Sequence, residues 1–245
     1  KINAEKAIFH QWKMLEDSHC IDNFRIANGE LDGTREGWFF SDSDAYKWLD
    51  AAARIYTQKP SVKLKKLMAG FVALLERTQT KDGYLFTYNQ VYFPAERWEN
   101  LMIEHELYCH GHLIEACISF YQASGEGTAL DIAHAAAGLL VRDFLNTTPD
   151  RTSGHEEIEL ALIQLHDLTG QGHYLELARQ FLERRGKIHP FAALILRQNS
   201  NVNLRTQIVQ QRRKAYLDEN PDHEPVHLFP DNYFRKPRFA KIRWQ

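Results

Sequence analysis

Phe120-Tyr-Gln-Ala-Ser-Gly125-Glu-Gly-Thr-Ala-Leu130-Asp-Ile-Ala133 and Leu165-His-Asp-Leu-Thr-Gly170-Gln-Gly-His-Tyr-Leu175-Glu-Leu-Ala178 carry one pattern at an offset of 45 residues. Each copy closes an apolar run with Ser/Thr-Gly, places a second Gly two residues on, and resumes with Leu-x-x-Ala. A glycine after a helical run adopts the left-handed backbone that stops a helix, so the unit is a helical hairpin. Stacked hairpins bury faces that neither could bury alone. Such a stack either opens into a solenoid or closes into an α/α toroid around a cleft. The unusual residues fall before the helix pairs, in Trp38–Trp48, Arg97–His112 and Gly154–Glu159. Their place at corresponding ends predicts one pocket and favours the toroid, here roughly half of an (α/α)6 ring.

Helical spacing dominates outward from the repeat and almost nothing alternates as a strand would. Helices are expected at Asp44–Thr57, Val62–Thr78, Glu104–Ser124, Ala129–Leu145, Glu156–Thr169, Tyr174–Arg185 and Leu204–Asn220, which makes the fold all-α. Thr80–Arg97, with Tyr84, Phe86, Tyr88, Tyr92 and Phe93, is too aromatic for a linker and too irregular for a helix, and reads as an ordered loop. After Gly186 the pattern changes. Residues 1–186 are read as the first part of the toroid and 187–245 as an inserted arm leading to a further helix. The last stretch holds Arg235, Lys236, Arg238, Lys241 and Arg243 with no acid among them.

At 245 residues, 44% hydrophobic and 25% charged, the chain is long enough for a real core and fits no disordered or low-complexity class. A net charge of −2 recommends neither nucleic acid nor an acidic membrane as partner, and the terminal basic patch comes with no recognition motif. No apolar run approaches the ~20 residues of a membrane span. Three cysteines, Cys20, Cys109 and Cys117, make neither a disulfide framework nor a closed zinc site expected. Lys1 opens without a leader and Gln245 ends without a helix stop, so a piece of a longer protein is expected. The compartment stays open, with bacterial cytoplasm or periplasm the expectation.

Three motifs concentrate the chemistry. Trp38-Phe-Phe-Ser-Asp42-Ser-Asp44 sets two acids among aromatics at a helix mouth. A helix cap explains the acids; a sugar site, with aromatic platform and carboxylates, explains acids and aromatics together. Glu104-His105-Glu106-Leu-Tyr108-Cys109-His110-Gly-His112 is the densest ionisable cluster. It fails the zincin spacing, because Cys109 stands four residues after His105 where a second histidine is required. His105, Cys109 and His112 share a helix stripe that could bind a metal, although buried, hydrogen-bonded histidines are the commoner outcome. Gly154-His155-Glu156-Glu157-Ile-Glu159 opens the next hairpin. Its acids suit a helix N-terminus, which leaves His155 unexplained.

These strings resemble glycoside hydrolase family 127, the β-L-arabinofuranosidase-like proteins, together with Ile21-Asp-Asn-Phe24-Arg, Asp82-Gly-Tyr-Leu85, Arg97-Trp-Glu-Asn-Leu101 and Gly154-His-Glu-Glu-Ile-Glu-Leu-Ala161. The match runs in order from Ile21 to about Gly186. The resemblance implies an (α/α)6 toroid, a retaining exo-glycosidase acting on β-L-arabinofuranose or a related plant-glycan sugar, and a zinc-held cysteine nucleophile with a glutamate acid/base. It also implies that His105 and His155 line the sugar pocket. The family's acid/base glutamate and zinc ligands lie downstream of anything matching Gln245. The chain is therefore expected to supply pocket wall, with no catalytic residue and no metal of its own. Sugar-binding candidates are His105, His155, Asp42, Asp44, Trp38 and Glu106. Other readings of the same helices are an inert carbohydrate-binding or scaffold repeat, and an epimerase or lyase on the same toroid.

Overall fold

The computed structural model describes residues 2–222, all helix and connection with no strand among them. After one π-helical turn at Asn3–Ala7 come α1 (Ile8–Asp17), α2 (Cys20–Ala27), α3 (Asp42–Gln58), α4 (Val62–Thr78), α5 (Thr87–Tyr92), α6 (Glu106–Ser124), α7 (Gly127–Phe144), α8 (Glu157–Thr169), α9 (Gly172–Arg184) and α10 (Phe191–Glu219). The two repeat copies terminate α6 and α8 at Gly125 (φ 75°) and Gly170 (φ 72°), and α7 and α9 start two residues later in both. The left-handed turn that an L side chain resists is thus the punctuation of both hairpins.

Three hairpins, α3/α4, α6/α7 and α8/α9, stand side by side. Their first helices pack in the order α3, α6, α8, and their second helices in the order α4, α7, α9. This is the two-layered α/α toroid arc. The middle inner helix α6 lies between α3 and α8, so its apolar residues spread over all faces: Leu107, Leu113, Ile114, Cys117, Ile118 and Phe120 are all buried. Apolar burial at about 25 cal/mol per Å² is the main stabilising term in such a core. At the outer end of the arc α1 and α2 close over α3 and α4, with Trp12 against Trp48 at 4.4 Å and Phe24 edge-on to Tyr46 at 5.7 Å.

Several expectations shift. Helices α1 and α2 join the seven read from periodicity; they are short, and residue 19 breaks them at a left-handed φ of 56°. The Glu104 start moves to Glu106, because His105 is itself left-handed at φ 57° and stands outside the helix. The Thr80–Arg97 segment is ordered, its Tyr84, Leu85, Phe86, Tyr88, Tyr92 and Phe93 buried, but it contains the one-and-a-half-turn helix α5. The helix expected from Leu204 begins already at Phe191. Apart from Ile208 and Val209 its docked side is polar, so its hydrophobic period is weak: Gln198 accepts from Met102 N, Arg205 pairs with Glu104, Arg212 donates to Tyr92 O, and Arg213 pairs with Glu36. The basic stretch 235–243 lies outside the described residues.

Candidate functional site

The N-terminal ends of α3, α6 and α8 meet at one edge of the arc. Phe39 and Phe40 lead into α3, His105 into α6 and His155 into α8, and their rings touch. His105 lies 5.4 Å from Phe39, 5.2 Å from Phe40 and 4.2 Å from His155, centroid to centroid. Tyr108, one turn into α6, stands 5.4 Å from His105 and 5.5 Å from His155. Two histidines fifty residues apart in sequence therefore lie ring against ring at this edge.

The backbone explains the meeting. Gly154 N donates to Leu101 O, and a Cβ at Gly154 would stand 2.4 Å from Met102 O. The two loops touch backbone to backbone, which only a residue without a side chain allows, and the next residue falls beside His105. Arg185, after α9, fixes the same loop: it donates to Ser153 O and His155 O and pairs with buried Glu159 at 2.6 Å. On the other side, His105 Nδ1 is 2.6 Å from Ile103 O. A carbonyl only accepts, so Nδ1 carries the proton and Nε2 keeps its lone pair. Partial burial, more than its backbone bond, sets the balance and holds His105 below the ordinary histidine pKa, so it is a neutral acceptor. A non-glycine residue held at positive φ is the kind of strain that clusters at functional sites.

The remaining candidates divide. Trp38 is 55% exposed and lies parallel to Phe40 at 6.1 Å, so its indole is linked to His105 through the Phe40 ring. Asp44 is exposed on the first turn of α3, and partial desolvation raises its pKa. Asp42 is turned inward. It is wholly buried, pairs with buried Arg35 at 3.0 Å, and accepts from Thr87 N and Oγ1 at 2.7 and 2.6 Å. Neither acid caps α3. Arg35 in turn donates to Trp38 O and Ser41 Oγ, so Asp42 holds the aromatic turn in place from behind. Glu106 is also inward, with both oxygens used by Tyr84 Oη, Asn89 Nδ2 and Trp98 N. His110 is core: burial lowers its pKa to about 4, and Nδ1 bonds Glu106 O. The structure thus separates Asp42 and Glu106 from the site and adds Phe39, Phe40 and Tyr108, with Arg35 and Arg185 as supports. A lone arginine in a loop gives no sequence signal of such a role.

Burial raises the Glu106 pKa to about 7 against the hydrogen bonds from Tyr84 and Trp98. Its folded pKa exceeds its unfolded one, so the native state holds the proton more tightly. Stability from this group is complete below the ordinary 4.5 and falls as pH rises toward 7. The expected slope is up to about 1.4 kcal/mol per pH unit in that window. Urea unfolding of Glu106→Gln between those pH values should show a flatter profile; an unchanged profile refutes the assignment.

The three thiols do not suit a metal-thiolate centre. Cys20 and Cys109 donate to Ser41 O and Phe40 O, and burial pushes all three pKa values well up.

Comparison with known proteins agrees with this fold. The profile of the β-L-arabinofuranosidase GH127 catalytic domain matches residues 2–227. A non-reducing end β-L-arabinofuranosidase of Bifidobacterium longum subsp. longum is 37% identical over 229 residues, covering 82% of this chain and 34% of that protein. The crystal structure of a GH127 β-L-arabinofuranosidase from Geobacillus stearothermophilus T6 superposes with a TM-score of 0.75 at 39% identity, covering 81% of this chain and 32% of that one. A second GH127 β-arabinofuranosidase structure gives 0.69 at 31% identity, covering 76% of this chain and 31% of that one. The chain spans about a third of the length of these relatives. With a profile match along nearly its whole length and the α/α arc to carry it, this chain belongs to glycoside hydrolase family 127, within the catalytic domain.

Proposed function

We propose that this chain forms one wall of the sugar pocket of a retaining exo-acting β-L-arabinofuranosidase, while the catalytic pair and its zinc come from residues outside the chain. The observation that carries this reading is the pairing of His105 and His155 at 4.2 Å, with the exposed Trp38 joined to them through Phe40. Neutral His105 Nε2 accepts a sugar hydroxyl, Asp44, exposed on the first turn of α3, accepts another, and the indole offers an apolar face for the ring. Retaining hydrolysis needs two carboxyl-type groups about 5–5.5 Å apart, or a nucleophile in place of one. Asp42 and Glu106 are buried and fully bonded, so the wall binds and orients.

In the intact enzyme, His105→Ala and His155→Ala should each lower kcat/KM about 10–100-fold, roughly 1.4–2.8 kcal/mol of transition-state binding. Tm should move little, and the double variant should lose less than the sum, because the rings touch. Unchanged kcat/KM on an aryl β-L-arabinofuranoside would remove both residues from the pocket. Turnover of that substrate by the 245-residue chain alone would return the chemistry to this part.

A further inference from the structure

The stripe of His105, Cys109 and His112 is not a cluster in the fold. His105 faces His155, Cys109 is buried under Phe40 O, and His112 points elsewhere, toward Glu115 one turn on and Glu157 at the start of α8. His112 Nδ1 stands 2.9 Å from Glu157 Oε1 and 3.7 Å from Glu115 Oε2, and one donor atom of each residue lies within 4.8 Å of the others. All three side chains are less than a fifth exposed.

We propose that His112, Glu115 and Glu157 bind one divalent ion of the zinc type, which joins the start of α8 to α6 behind the pocket wall. A tetrahedral ion with bonds of about 2.0–2.1 Å needs donors about 3.3–3.4 Å apart, and the two distances to His112 Nδ1 bracket that edge. One imidazole and two carboxylates form a borderline N/O donor set that suits such an ion. Charge points the same way: two largely buried carboxylates converge on one imidazole, and a doubly charged ion with neutral histidine balances them.

Two independent details show that the cluster is built. Glu157 Oε1 is a buried acceptor without a hydrogen bond, because the approach of His112 Nδ1 lacks hydrogen-bond geometry. Glu115 is oriented from behind by Gln164 Nε2 at 2.5 Å, the outer-shell support that ligating carboxylates receive. Glu157 reaches the cluster only across Gly111, where a Cβ would stand 2.8 Å from Glu157 Cγ. A metal-free chain is the expectation from sequence; this proposal departs from it because Glu157 arrives from the next hairpin. Tyr108 packs edge-on to His112 at 4.4 Å and also against His155, so the ion would sit one ring behind the sugar histidines.

Zinc chloride titrated calorimetrically into the 245-residue chain should give one site per chain, weakened by ~100-fold or more in Glu157→Gln and in His112→Gln, with circular dichroism unchanged. Co2+ added to the unmutated chain supplies a readout that needs no variant: ligand-field bands of nitrogen and oxygen donors, without thiolate-to-cobalt charge transfer. No zinc uptake, full affinity retained in both variants, or a charge-transfer band would each overturn the site. None of these outcomes touches the sugar-binding reading, which rests on His105 and His155.

Discussion

Asp42→Ala is expected to destabilise the protein by about 3–5 kcal/mol, the usual loss when one partner of a buried ion pair is removed. The reason lies in what remains. Arg35 is 1% exposed on its side chain, and a guanidinium cannot shed its proton to escape burial. Thr87 N and Oγ1 lose their acceptor in the same step, and each buried donor left unpaired costs about 1–3 kcal/mol. The loss should show as a lower urea midpoint with unchanged slope. Asp42→Asn, which keeps one acceptor oxygen, should fall between the wild type and the alanine variant. Asp44→Ala, on the exposed face of the same turn, should stay within about 0.5 kcal/mol and act on sugar binding instead. An Asp42→Ala protein of normal stability that had lost sugar affinity would place Asp42 in the pocket after all.

Gly154→Ala is expected to cost the intact enzyme about 100-fold in kcat/KM, the scale of a misplacement of about 1 Å. The new Cβ would meet Met102 O at 2.4 Å, Met102 C at 3.0 Å and its Cα at 3.1 Å. All three are backbone atoms, so no side chain can swing aside and one loop must move. His155 is the next residue and moves with it, away from His105. Overpacking of this kind also costs about 1–3 kcal/mol of stability. A urea midpoint and a kcat/KM both at wild-type level would mean that the loops are not in contact. A crystal structure of the variant with the His105–His155 ring separation unchanged, together with lost activity, would show that the loss has another origin.

Local chemistry made most of the scaffold legible. A helix ends where a glycine takes a left-handed φ, so Gly125 and Gly170 with their trailing glycines marked both hairpins in advance. Two such hairpins at a fixed spacing specify a stacked arc, because each exposes a face that the other covers. The aromatic run Thr80–Arg97 announced an ordered loop for a similar reason: so many rings in water are too unfavourable to leave uncovered. Helix α10 was half hidden, since most of its docking residues are polar and bond to loop backbone or to buried carboxylates, which leaves little apolar period to read.

The site itself divides along the same physical line. The sequence, through its motifs, marked His105, His155, Trp38 and the two acids as unusual, because helix caps account for the acids but leave His155 and the surrounding aromatics unexplained. It could not say which acid points where. Asp42 and Asp44 are two residues apart and about 200° apart around a helix; only the position of Arg35 and Thr87, brought in from other segments, decides that the first is a buried support and the second is exposed. In the same way the stripe His105, Cys109 and His112 is a property of one helix, whereas the set His112, Glu115 and Glu157 exists only once α8 crosses Gly111. Periodicity fixes which face of a helix a residue occupies; what that face meets depends on contacts between segments far apart in the chain, and those are set by packing alone.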